Sequence, residues 1–203
     1  MQLNMKSILT VIIVMLTQLL SAQGPVINIK DRIGNPPQGV YYKDIDNLLG
    51  PYEGTWLYTN GNTSLKIVMV KKIMQYNNQY YEDLIIGEYE YIKNGELVIN
   101  TLSDITTNYS NQIKHNIAGN GFLDNNDLPR CDECDPEEKR GHFTFSDPIA
   151  DYRGRMVARL IEVNGNPAIK INIRMNGKYK VSGEFYDYSS PICPMGEFIL
   201  LRQ

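Results

Sequence analysis

The residues of this chain best suited to chemistry are two cysteines in an irregular stretch between β-rich segments. Cys131 and Cys134 have the C-x-x-C spacing of redox and zinc sites. A redox pair needs positive charge or a helix N-terminus to stabilise its thiolate. Four neighbouring residues are acids instead: Asp132, Glu133, Asp135 and Glu137. Their charge disfavours a thiolate, so we predict a structural disulfide rather than redox catalysis.

The third cysteine, Cys193, offers a much longer crosslink. In the chain-entropy description, a disulfide from Cys134 to Cys193 closes about 60 residues and contributes about 4 kcal/mol, whereas the loop from Cys131 to Cys134 contributes about 2 kcal/mol. We therefore predict a disulfide between Cys134 and Cys193. The preference for Cys134 over Cys131 is slight, and the remaining thiol is left free or pairs between chains.

The other polar groups do not form a recognisable catalytic set. The chain has two histidines, His115 and His142, and lacks the Gly-x-Ser-x-Gly, His-Glu-x-x-His and P-loop motifs. The three cysteines with His142 have the ligand types of a structural zinc site, which is the alternative to the disulfide. The oxygens of residues 124–127 lack the spacing of an EF-hand loop. We predict no catalytic residue, no metal and no cofactor.

Composition limits the class of partner. With 203 residues, 42% hydrophobic and 21% charged, the chain is an ordinary globular protein. Its formal net charge of −3 is too small to favour a highly charged partner. No basic stripe is interleaved with aromatic residues, so we expect no nucleic-acid binding.

The first 22 residues have the layout of a secretory signal peptide. Lys6 precedes an apolar run over residues 8–20, and the small residues Ser21 and Ala22 follow. At about 1.5 Å per residue the run reaches about 20 Å, too short for a hydrocarbon core of about 30 Å. No cysteine lies immediately after the cleavage site. We expect cleavage near Ala22, no lipid anchor, no membrane-spanning segment, and export to the periplasm or the cell exterior.

Strands must position the remaining residues, because β-rich segments alternate with turn residues and no long amphipathic helix occurs. Residues 52–72 read as a hairpin with Asn60-Gly61 at the two positive-φ positions of a tight turn, and further Asn-Gly pairs begin at 94, 120, 164 and 176. Further β-rich segments lie at 80–92, 96–102, 112–118, 141–147, 153–163, 167–175, 179–186 and 196–202.

These segments predict an all-β fold. Ile169, Ile171 and Ile173 alternate with polar residues, which is typical of an antiparallel strand with one wet face. Short strands in sequential order without helical crossovers favour an antiparallel up-and-down meander barrel of about 8–10 strands, with a two-sheet sandwich as the alternative. A membrane-embedded barrel is disfavoured, because Arg159 interrupts the apolar face of Val157 and Ile161.

The predicted organisation is a signal peptide over 1–22, an extended lead-in over 23–51 and a single barrel domain over 52–203. Within the lead-in, residues 44–49 suit a short helical turn with Asp44 as N-cap, ended by Gly50-Pro51. Asp135 precedes Pro136 and stands three residues before Glu138, which predicts one more helical turn.

The first and last strands resemble those of the lipocalin or calycin superfamily. Gly54-Thr55-Trp56 enters the first strand after a short turn, and Arg202 lies near the end of the last. The resemblance implies that Trp56 fills the closed end of the barrel and that Arg202 packs over it. The chain lacks the helix that follows the lipocalin barrel, so no ligand-binding residue is carried over.

A longer part, from about Tyr42 onward, resembles a family of small exported bacterial proteins of unknown function. The similar stretches are Tyr42-Lys43-Asp44 with 48–56, Tyr80-Tyr81 with 83–86, Ile113-Lys114-His115, and Cys193-Pro194. This resemblance implies export and a β fold but no activity.

These observations favour a binding protein over an enzyme. We expect an exported non-enzymatic barrel that binds a small apolar ligand. The residues predicted to line the site are Leu65, Ile67, Met69, His115, Ile169, Ile171 and Ile173. The alternative is an envelope or cell-surface module with a filled core that binds a protein partner.

The export hypothesis predicts a shortened mature chain. The intact mass of the protein purified from its own host should lack about the first 22 residues, because signal peptidase cuts after small residues such as Ser21-Ala22. A full-length mass in the envelope fraction would contradict it.

Overall fold

The computed structural model describes residues 24–175 and 191–203, and their regular structure is almost entirely β. The strands of this part of the chain are β1 (Val26–Asn28), β2 (Tyr41–Lys43), β3 (Gly54–Asn60), β4 (Thr63–Tyr76), β5 (Tyr81–Lys93), β6 (Glu96–Asn100), β7 (Ile117–Leu123), β8 (Arg140–Asp147), β9 (Tyr152–Val163), β10 (Asn166–Met175) and β11 (Gly196–Arg202). Short 3-10 helices are the only helical elements in these residues. The predicted signal peptide and the segment 179–186 lie outside the described residues.

Eight of these strands form a closed antiparallel barrel. The order is β5-β4-β3-β11-β10-β9-β8-β7, and β7 pairs back onto β5. In that closing pair Ile85 lies opposite Gly119, and Gly87 lies opposite Ile117. Of the remaining strands, β2 pairs parallel and β6 antiparallel with β5, and β1 pairs parallel with β2. The predicted meander barrel is confirmed, and the two-sheet sandwich is wrong.

The Asn-Gly pairs act in different ways. Asn94-Gly95 and Asn164-Gly165 have positive φ at both residues, as a two-residue hairpin turn requires. In the first hairpin only Gly61 has positive φ, since Asn60 still pairs within the ladder and the turn lies one residue later than predicted. Asn120-Gly121 is not a turn at all: it lies inside β7, at a register shift against β8.

Two local predictions are wrong at their boundaries. Residues 112–118 are not one strand, because Gln112–Lys114 is a 3-10 helix and β7 begins at Ile117. Residues 44–49 form a turn, and the 3-10 helix that precedes the barrel is Gly50–Tyr52. The Asp44 carboxylate nevertheless accepts the N–H groups of Leu48 and Leu49, as a capping residue does.

The barrel interior is packed with apolar side chains. The six inward residues predicted on β4 and β10 are each between 0 and 1% exposed: Leu65, Ile67, Met69, Ile169, Ile171 and Ile173. Aromatic rings fill the space between them, and the ring centroids of Tyr89 and Phe145 are 4.7 Å apart. Tyr52 and Phe143 meet edge to face at 5.4 Å. Together these side chains belong to one continuous hydrophobic core.

Trp56 and Arg202 close one end of the barrel. The Trp56 side chain is buried, and its indole N–H donates to the carbonyl of Tyr52 at 3.0 Å. The Arg202 guanidinium lies 5.3 Å from the indole centroid and donates to the carbonyl of Glu53 at 2.9 Å. Gly54 is required here, because its φ is +128° and a Cβ would lie 3.3 Å from Arg202 Nε. The predicted contact of Trp56 with Arg202 is confirmed.

The lead-in is fixed to the barrel by buried polar groups. The Asp83 carboxylate on β5 accepts the Tyr41 hydroxyl at 2.6 Å and the Asp44 N–H at 2.9 Å. Asp44 in turn forms an ion pair of 2.7 Å with Lys71 of β4. Because these buried groups are all paired, they serve attachment of the lead-in rather than chemistry.

Candidate functional site on the outer face of the barrel

Cations accumulate on the outer face of β9 and β10. Inward and outward side chains alternate, and the outward rows place Arg159 directly opposite Lys170 and Arg155 directly opposite Arg174. Like charges in directly opposed positions destabilise a sheet. This face therefore requires negative charge from another part of the molecule.

The irregular segment 124–139, here called the acidic loop, supplies that charge. Arg159 Nε donates to Glu138 at 2.6 Å, and Lys170 Nζ donates to Glu133 at 2.8 Å. Glu133 also lies 3.4 Å from Arg159, and Glu197 of β11 lies 3.3 Å from Lys170. The hydrogen bond from Arg159 lowers the pKa of Glu138, and the same bond raises the pKa of Arg159. The pair of Arg159 and Lys170 is thus neutralised.

Arg140, at the start of β8, holds the acidic loop in place. Its side chain is only 4% exposed and donates to the carbonyls of Pro129 at 2.6 Å, Asp124 at 2.7 Å and Asp127 at 3.3 Å. Its Nε–H is buried and has no hydrogen-bond partner. Within the loop the Asp135 N–H donates to the Glu138 carboxylate at 3.2 Å, as in a cap, but residues 136–137 form a turn and the predicted helical turn is wrong.

The disulfide joins Cys131 to Cys134, with Cα atoms 5.4 Å apart, and the predicted link from Cys134 to Cys193 is wrong. Cys134 and Cys193 lie near opposite ends of β8. The acidic loop is fastened at Arg140, whereas the Cys193 N–H donates to Asp147 at the other end of that strand. Eight strand residues span about 23 Å, far beyond the roughly 7 Å that a disulfide permits between Cα atoms. Cys193 is a free, buried thiol.

Between the acidic loop and the outer face lies a groove of about 480 Å³. Its lining residues are Pro129, Arg130, Cys131, Asp132, Glu133, Arg140, Val157, Arg159, Lys170, Ile171, Asn172, Arg174 and Glu197. Arg130 and Arg174 are exposed and contact no carboxylate among the described residues. The groove therefore offers a wall formed by the acidic loop, an apolar floor at Val157 and two guanidinium groups that no carboxylate of the described residues neutralises. These are features of a binding site for an anionic group.

The residues predicted to line a ligand site do not all come together. The six apolar residues of β4 and β10 meet in the core, but His115 lies outside the barrel wall, beneath residues 102–116. His115 Nδ1 is 2.8 Å from Glu88 Oε1, and both side chains are fully buried. His115 is therefore a buried histidine paired with Glu88, and it does not line the interior with the other six residues. Because neither group reaches solvent, the pair fastens the covering segment to β5.

Two features are absent from the described residues: a cluster of metal-binding side chains and a helix that could span a membrane. Within the described ranges no group of three or more His, Cys, Asp or Glu side chains is arranged to hold a metal ion. The zinc alternative fails for the same geometric reason as the long disulfide, since Cys193 is remote from the acidic loop. No helix in residues 24–175 or 191–203 is long and apolar enough to cross a membrane.

Sequence reasoning missed the cationic face, although a signal was present. The arginines at 153, 155 and 159 share one phase of β9, and Lys170 and Arg174 share one phase of β10. Pairing the two strands across the hairpin turn at Asn164-Gly165 would have placed these cations opposite one another. No pattern in the sequence indicates that the acidic loop packs against them.

The thiols give a direct test of this arrangement. Peptide mapping without reduction should find Cys131 linked to Cys134, and iodoacetamide should modify Cys193 only after unfolding. Burial, with the nearby Asp147 charge, raises the pKa of the Cys193 thiol to about 12, whereas an unfolded thiol titrates near about 8.5. The protonated thiol therefore contributes fully to the free energy of unfolding below the pKa of the unfolded thiol. This contribution is lost as pH rises toward 12.

In alkaline unfolding titrations, the wild-type chain should therefore lose more stability above about pH 8.5 than a Cys193→Ala variant. An equal loss in the two proteins, or rapid alkylation of the folded chain, would contradict the buried thiol.

Comparison with known proteins assigns the chain to a family without assigning an activity. No curated protein matches the chain. No solved structure matches it. The model of a family of unknown function, DUF6705, matches residues 5–203, so the chain belongs to that family.

Proposed function

We propose that this chain is an exported, non-enzymatic binding protein that contacts a protein partner through the outer surface of a packed barrel. The observation that carries the proposal is the burial of the inward rows on β4 and β10. An interior ligand site would leave its lining side chains accessible, and those six residues are between 0 and 1% exposed. Because the core is filled, a partner would bind to the outer surface of the barrel.

Export is part of the proposal. The disulfide between Cys131 and Cys134 supports it, because structural disulfides persist in oxidising compartments. The proposed organisation keeps residues 1–22 as a cleaved signal, 23–51 as the lead-in and 52–203 as the barrel domain. The buried attachment of the lead-in through Asp44 and Asp83 favours treating both parts as one folding unit.

The outer face next to the groove has the composition of a contact surface. On β11 the side chains of Ile199 and Leu201 are 45% and 40% exposed, and Ile199 lies directly opposite Lys170. Apolar residues bordered by arginine are typical of protein interfaces. The proposed contact surface therefore consists of the groove and the adjoining outward row of β11.

Site-specific crosslinking in the native host tests this surface. A photo-crosslinking amino acid at Ile199 should give a discrete higher-mass species, because this position lies beside the groove. Ile73 is the matched control, since it is also an exposed isoleucine on a strand, at 64%, but on β4. Absence of the species at Ile199, or an identical species from both positions, would refute the proposed surface.

A second candidate is binding of a small apolar ligand at the end of the barrel opposite Trp56. There Tyr58 and Phe198 lie edge to face at 5.1 Å and are only partly buried, as is Met175. Partly buried aromatic rings beside a flexible methionine suit a hydrophobic ligand. This candidate retains the sequence-based expectation but moves the ligand from the interior to the partly buried side chains at this end.

Titration with an environment-sensitive apolar dye separates the two functions. A packed barrel predicts no saturable one-to-one binding to the wild-type chain. Ile171→Ala is the positive control, since it should open a cavity and lower the free energy of unfolding by about 2–5 kcal/mol. Saturable wild-type binding that fatty acids displace and that Phe198→Ala weakens would instead establish the ligand-binding candidate.

A further inference from the structure

We propose that the outer groove binds carboxylate groups of an acidic segment in the partner protein, with Arg174 and Arg130 as the charged contacts. The inference rests on the proposed function, because it specifies the chemistry of that contact. The proposal requires positive charge that the groove's own acids do not neutralise, and a geometry that suits carboxylates. It also requires a feature of the groove that disfavours a uniform polyanion.

The groove has more cations than its own acids neutralise. Five cations line it: Arg130, Arg140, Arg159, Lys170 and Arg174. Arg159 and Lys170 are matched by Glu138, Glu133 and Glu197. In the part of the chain that the structure describes, the other three cations contact no carboxylate, and Asp132 is the only lining acid left unpaired. The surplus of positive charge faces the groove.

The acidic loop shows how this face binds a carboxylate. Glu133 lies within 3.4 Å of Arg159 and 2.8 Å of Lys170, so one carboxylate relieves a directly opposed pair of cations. Arg155 and Arg174 form the same kind of opposed pair, four residues before Arg159 on β9 and four residues after Lys170 on β10, at a distance of about 13 Å. No carboxylate of the described residues contacts this second pair. A partner carboxylate would remove its repulsion, as Glu133 does for the first pair.

Arg140 gives a second, independent indication of a ligand. It lines the groove while only 4% exposed, and its buried Nε–H has no acceptor. Buried donors without partners are rare in proteins, and a bound water or ion is one of the reasons for them. The described protein groups supply no acceptor for this N–H, so an oxygen bound beside Arg140 would satisfy it.

The walls favour a protein segment with separated acids over a nucleic acid or a sulfated polysaccharide. Asp132, Glu133 and Glu197 line the groove as well and would repel a continuous row of negative charges. Val157 provides apolar contact between the charged positions, which suits the alternation of acidic and apolar side chains in an extended peptide. The formal net charge of −3 also opposes long-range attraction of a polyanion.

The test uses the folded, oxidised mature chain and the probe peptide acetyl-Gly-Glu-Val-Glu-Gly-amide, with its Gln-for-Glu analogue as the uncharged control. In ¹H–¹⁵N correlation spectra, the Glu peptide should shift amides of β9, β10 and the acidic loop saturably, and added salt should weaken it. Arg174→Gln should weaken binding about tenfold. Lys93→Gln removes an equal charge from the end of β5 and should leave binding unchanged.

Each result decides the proposal. Equal binding of the Gln peptide, no saturable shift, or equal effects of Arg174→Gln and Lys93→Gln would overturn it. Tighter binding of a heparin fragment or an oligonucleotide at the same amides would overturn the choice of an acidic protein segment. If the Ile199 crosslink forms without peptide binding, the partner surface stands and its chemistry is different. If the peptide binds without the crosslink, the carboxylate site stands and the protein-partner function fails.

Discussion

Closure of the sheet is the constraint on which the rest of this structure depends. The pairings of β5 with β7 and of β3 with β11 give each of the eight barrel strands two neighbours. Closure leaves the eight barrel strands without the free edges that many sheets use to bind an extended peptide. It also forces every inward side chain into one small volume, where aromatic rings and branched side chains exclude water. Both effects direct binding toward outward-facing side chains.

The same constraint explains the buried acids. Glu82, Asp83 and Glu88 on β5 are all at most 5% exposed, although none of them belongs to the apolar core. Glu82 binds Arg32 at 2.6 Å, Asp83 binds the lead-in, and Glu88 pairs with His115. Segments outside the barrel must be attached through hydrogen bonds because the apolar interior is already filled. These carboxylates are structural, and an acid-base function is not needed to explain their burial.

The acidic loop acts as an internal ligand of the barrel's outer face. Its acids neutralise one opposed pair of cations, while the disulfide and the Arg140 hydrogen bonds keep its backbone in place. The loop thereby converts a flat outer face into a groove with one rigid wall. The length of the loop therefore allows it to reach the cations of β9 and β10, and long loops in compact domains usually have such a role.

The sequence by itself determined the all-β barrel and its closed end. Alternation around Ile171 identified the wet and dry faces of β10, and the Gly-x-Trp pattern with Arg202 predicted a contact between the first and last strands. These features depend on local periodicity and on one short motif. Only the tertiary structure decided the disulfide, because loop entropy describes the unfolded chain, whereas the length of β8 keeps Cys193 from Cys134. The groove also follows only from the tertiary structure, because its charge balance depends on the strand register and on where the acidic loop packs.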